Sequence, residues 1–182
     1  STEDKTYYID QVNGSDENDG ESEQTAFKTF AKCWSIVPRF VLHEITIRII
    51  GNLDEQINAS EVMALGGTVT IRGNTDTTSN HIISRRINLC LAGGTTLNPT
   101  ARAVSLNYIQ NTAGGIIVYG TKADIGNCNL LAPDAPGISC RNSTVYMANC
   151  SIGTDVVQDG IVSYGMSTIY ARNISGKAKR YG

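Results

Sequence analysis

Asp134, Asp155 and Asp159 are the carboxylates of this chain best placed to act together. Asp134 lies in the loop from Leu130 to Gly137, and the other two lie in the loop from Gly153 to Gly160, one repeat further on. Repeats that stack would set the two loops side by side. A pair of carboxylates ~5–9.5 Å apart across a groove is what a glycoside hydrolase needs, one as acid and one as base or nucleophile. The competing reading, which the residues favour, is that these loops use Asp to make turns. A lyase would need clustered acids for Ca²⁺ and an Arg base borne on a strand. Arg141 and Arg172 fall on or near the repeats, but no row of acids accompanies them.

A second constellation is Tyr119, Arg141 and Tyr164. Aligned from the glycines that open each repeat, the two tyrosines occupy equivalent places and Arg141 falls between them. Facing outward, they would form a Tyr–Arg–Tyr column able to stack on sugar rings and bond their hydroxyls. The same column would equally serve as a subunit contact or as plain strand filler.

Other reactive side chains are poorly partnered in sequence. His43 and His81 have no companion for a Ser-His-Asp arrangement, and each is expected at the surface or in the cap. The five cysteines form no CxxC pair and have no His at metal-ligand spacing, so they read as buried thiols. Cys128 and Cys150 would lie on neighbouring turns, where side-by-side parallel strands seldom offer disulfide geometry. Free thiols suit assembly in a reducing cytoplasm. The turn from Asp16 to Gly20 lacks the frame of a Ca²⁺ loop and reads as self-capping. No metal or other cofactor is expected.

The elements that must position these residues announce themselves by repetition. Segments Gly115 to Leu130, Gly137 to Ile152 and Gly160 to Ser175 align so that Asn127, Asn149 and Asn173 coincide, at offsets of 22 and 24 residues. Such a period, built from β-branched and small residues, indicates stacked coils. Asn suits a corner because it tolerates left-handed backbone and can bond the Asn above and below. The three are therefore expected to form a structural ladder rather than a sugar-binding row.

Upstream, residues 6–9 read as a strand, followed by a run of turn formers from Asp10 to Gly20. Phe27, Phe30, Cys33, Trp34 and Val37 recur at helical spacing, which predicts a helix over 28–37 ended by Pro38. From Glu44 the period becomes two: Ile45, Ile47 and Ile49; Val69 and Ile71; Ile87, Leu89 and Leu91. One helix in the entire chain excludes a doubly wound sheet. The leucine-rich frame and the hexapeptide period of left-handed coils are both missing. The expected fold is all-β, a right-handed parallel β-helix of about six short coils, ~29 Å tall, with an N-terminal capping strand and α-helix. Residues 1–43 form the cap, and 44–182 form the β-helix and C-terminal tail. An uncapped last coil exposes a sheet edge. Another subunit, a further domain or the tail is expected to cover it.

Length and charge bound the function. The chain has 182 residues and a net charge of −2, without the basic stripe of a nucleic-acid binder. No apolar run reaches the ~20 residues of a membrane span, so neither nucleic acid nor membrane insertion is expected. The chain begins at Ser1 without Met, so a processed tag or an excised fragment is expected.

Tyr7 to Asp10, Asn13 to Gly20 and Thr25 to Phe30 together resemble the N-terminal cap of pectate-lyase-like proteins, with Ala26 where Pro is frequent. The short coils and the ending from Ala171 to Tyr181 are similar to phage and prophage tail-fibre proteins. That superfamily contains lyases, hydrolases, epimerases and fibres that catalyse nothing, so the fold leaves the activity open. The resemblance implies a tail-fibre or tailspike-like component of the virion or cell surface. It would be a homotrimer that recognises host surface polysaccharide without an enzymatic step. The alternatives are a polysaccharide-degrading hydrolase or lyase and a purely structural spacer.

Overall fold

The computed structural model describes residues 3–93, 103–131, 133, 135–153 and 160–177. In chain order its elements are β1 (Lys5–Asp10), α1 (Phe30–Ile36), β2 (Phe40–Val41), β3 (Ile45–Ile50), β4 (Ile57–Ala64) and β5 (Val69–Gly73). A 3-10 turn, Thr78–Asn80, leads to β6 (Ile82–Ile83), β7 (Ile87–Gly93), β8 (Val104–Asn107), β9 (Gln110–Asn111) and β10 (Ile116–Tyr119). The last elements are β11 (Lys122–Gly126), β12 (Asn129–Leu130), β13 (Ile138–Arg141), β14 (Thr144–Gly153), β15 (Ile161–Tyr164) and β16 (Thr168–Lys177).

The described strands pair only in parallel, and the chain is an all-β, parallel-strand fold with a strongly curled sheet. One column runs β1–β3–β5–β8–β11–β14–β16. The long strands β14 and β16 turn a corner, and their second halves continue a column begun by β6, β9 and β12. A separate sheet runs β2–β4–β7–β10–β13–β15. From β5 onward the chain visits these columns in rotation and advances one strand per circuit.

Alternation explains the packing. In β3, Ile45, Ile47 and Ile49 are buried while Thr46 and Arg48 point out. Ile47 pairs with Ile71, Ile71 with Leu106, Leu106 with Ile125 and Ile125 with Met147, so the core is made of aliphatic columns that climb the stack. Each such side chain contributes about 1.5–3 kcal/mol by leaving water. Corners are set by left-handed backbone at Tyr108, Asn127, Asn149 and Asn173, with φ between 51° and 56°.

The N-terminal segment shares this core: Ile9, Phe27, Phe30 and Cys33 are buried in the same cluster as the strands. Its turn formers cap themselves. Asp10 accepts from the N–H groups of Val12 and Asn13, and Asp16 from those of Lys28 and Thr29. The helix is shorter than the 28–37 its spacing predicts. Thr29 is the N-cap, accepting from the Lys32 N–H, and the Glu55 carboxylate takes the N–H groups of Phe30 and Ala31. Val37 precedes Pro38, whose ring disfavours helical backbone there, and it stands at ψ 125°.

The far end is open among the described residues. Ile161, Ile169 and Ile174 of the last turn are only partly buried, and Met166 is 92% exposed.

Candidate ligand-binding face

Tyr119, Arg141 and Tyr164 end β10, β13 and β15, and the structure brings them together. Tyr119 pairs with Arg141 and Arg141 with Tyr164. Their predecessors Val118 and Cys140 are buried, so alternation turns Tyr119 and Arg141 outward. Each of the three is followed by a residue in left-handed backbone, Gly120, Asn142 and Gly165, which ends the strand at the same height. The Gly120 N–H donates to the Arg141 carbonyl at 3.0 Å, and the Met166 N–H to Asn142 Oδ1 at 3.3 Å.

The tyrosines are 48% and 54% exposed. Strand spacing puts them ~10 Å apart with the guanidinium between them. A groove of about 280 Å³ lies along the column, lined also by Ile117 and Ser139. Among the described residues no carboxylate pairs with Arg141. Two aromatic faces flanking a five-donor cation can stack on sugar rings and bond hydroxyl or carboxylate oxygens.

The loop carboxylates Asp134, Asp155 and Asp159 lie outside the described residues. Asp124 stands in register with Ser105, Tyr146 and Tyr170, a column without a second acid. The rings of Tyr146 and Tyr170 stack at 4.8 Å between centroids, tilted by 13°. Among the described residues no group of three or more His, Cys, Asp or Glu is arranged to hold a metal ion. Among the described residues no helix is long and apolar enough to cross a membrane.

His43 is exposed beside Asp4. His81 is not the surface or cap residue that sequence suggests. It is 3% exposed, and its Nε2 accepts from the Thr75 N–H at 3.1 Å. Burial holds its pKa below the ordinary imidazole value. Gly73 packs against the ring, filling a corner that sequence cannot show. The described cysteines are free thiols. Burial pushes Cys128 up, while a hydrogen bond from Cys128 favours the Cys150 thiolate.

Sequence reasoning misses a second hollow on the same sheet, between α1 and β4, bordered by Trp34, Asn58 and Glu61. A signal was present. Apolar residues at 57, 59, 62 and 64 skip a beat, and that slip is a bulge at Glu61, which takes φ 61°.

Compared with known proteins, the chain matches no family model, no curated protein and no solved structure.

Proposed function

We propose that this chain is a right-handed parallel β-helix of the pectate-lyase-like kind, serving as a tail-fibre or tailspike-like receptor-binding module. It binds a host surface glycan without cleaving it, works as a homotrimer, and belongs to a virion tail or a cell surface. The observation that carries this reading is the exposed Tyr119–Arg141–Tyr164 column, in register across three strands. Large aromatics that point into water at regular spacing gain nothing for the core, and they match the stacking that sugar recognition requires.

Physical arguments support the rest. Parallel crossover connections are right-handed in about 98% of cases. Exposed Met166 and Tyr170 gather at the open last turn, where neighbouring copies would cover them. The Asp-rich turn that holds the entry to α1 is one of the segments on which the pectate-lyase-like resemblance rests.

The test is binding to a broad glycan array. Wild type retains at least one linear glycan, and Tyr119→Ala and Tyr164→Ala each lose it. No retention by wild type overturns the reading, and release of sugar fragments during the assay replaces it with a degrading enzyme.

A further inference from the structure

The hollow beside α1 has the makings of a binding site. Its volume is about 350 Å³, and Trp34, Ser35, Arg39, Asn58, Ser60 and Glu61 border it. The register of β4 on β7 slips between Ser60 and Met63, and Glu61 sits in left-handed backbone within that slip. Such backbone costs a non-glycine residue about 1–2 kcal/mol. Strain of this order gathers where a side chain is aimed for a purpose. The Trp34 indole N–H donates to the Ser60 carbonyl at 3.0 Å and fastens the helix to the bulge. Among the described residues neither Glu61 nor Arg39 has an ion-pair partner. One indole, two hydroxyls, an amide, a carboxylate and a guanidinium thus surround one hollow, a set that suits a ligand rich in hydroxyl groups.

The hollow and the tyrosine column share one sheet, and the row through Asn58 runs two residues ahead of Tyr119, Arg141 and Tyr164. Asn58 pairs with Asn88, Asn88 with Ile117, Ile117 with Ser139 and Ser139 with Val162, all on one sheet. From β4 to β15 is four strand steps, ~19 Å, the length of about four linked sugars. Asn88 lies between the two sites and is only partly buried.

We propose that the hollow at Trp34, Asn58 and Glu61 is a second sugar subsite, and that one linear glycan runs from it across Asn88 to Tyr119, Arg141 and Tyr164. Glu61 and Asn58 bond hydroxyls at one end while the tyrosines stack on rings at the other. This extension rests on the glycan reading above.

Its test is an array of neutral and acidic linear oligosaccharides, each printed at two, four and eight sugars. Linking two subsites through one ligand raises affinity without changing either contact, so the eight-sugar form binds at least about tenfold tighter than the two-sugar form. Asn58→Ala and Glu61→Gly remove that gain and leave two-sugar binding at the tyrosine column unchanged. Glu61→Gly also relieves the left-handed backbone, so misfolding does not explain its loss. Equal affinity at all lengths, or a length gain that survives both substitutions, overturns the second subsite alone. Failure of every glycan to bind overturns the parent reading and this one with it.

Discussion

Asn173 donates its side-chain amide to Oδ1 of Asn149 at 3.0 Å, one turn along the stack, and Asn149 donates likewise to Asn127 at 3.3 Å. All three occupy left-handed backbone. Their recurrence is a requirement of the corner, where a short side chain must accept positive φ and bond its copy on the next turn. The exposed chemistry lies on the other sheet, at Tyr119, Arg141 and Tyr164.

The ladder makes two substitutions at one residue separable. Asn149→Ala loses the amide bonds and places a Cβ-bearing residue without local compensation at φ 55°, and should destabilise by about 2 kcal/mol. Asn149→Gly loses the same bonds but adopts that backbone freely, and should cost less than half as much. Urea denaturation of both variants decides it, and equal losses would deny the role of the backbone.

Asp16 should prove a fastening of the cap. Its carboxylate accepts from the Lys28 N–H, the Thr29 N–H and the Thr29 hydroxyl at 2.9–3.0 Å. Bonds to a charged acceptor are worth more than neutral ones, so Asp16→Ala should lose about 2–3 kcal/mol in thermal or urea unfolding. A loss within experimental error would show that the turn is held by its backbone alone.

These residues also show what sequence can and cannot reveal. Ladder and column are legible because stacked turns convert distance along the axis into a fixed period, so Asn127 foretells Asn149, and Tyr119 aligns with Tyr164. The alternation in β3 is legible because one strand face is core. Glu55 as the cap of α1 is not, since it reaches the Phe30 N–H across 25 residues and no local pattern marks it. The hollow at Trp34 is hidden for the same reason: it exists only once α1 is docked against the bulge in β4. The two-residue strands β6, β9 and β12 are too short to carry a period of their own.

His81 gives a pH dependence of known sign. Its Nε2 is an acceptor and its ring is buried, so the folded state favours the neutral form and holds the pKa below the unfolded value of 6.5. The unfolded chain therefore binds the proton first. The stability that His81 contributes is complete above pH 6.5 and is lost as pH falls below it toward the folded value. Urea midpoints measured from pH 7.5 downward should decline in that window for wild type. His81→Gln should flatten that part of the profile, and an unchanged slope would contradict the assignment.

Assembly is tested by size-exclusion chromatography with light scattering. The proposed homotrimer has three times the 19.5 kDa mass of the chain. A monomer at micromolar concentration would contradict the trimer, and would leave Met166 and Tyr170 as exposed on the isolated chain as they are in the structure.

The central claim is that the Tyr119–Arg141–Tyr164 column is the glycan contact, and calorimetric titration of the tightest array ligand measures it directly. Arg141→Ala removes the cation between the two rings without touching a buried side chain. Binding should weaken at least about tenfold, or about 1.4 kcal/mol, with an unchanged unfolding midpoint. A dissociation constant equal to that of wild type would contradict the account.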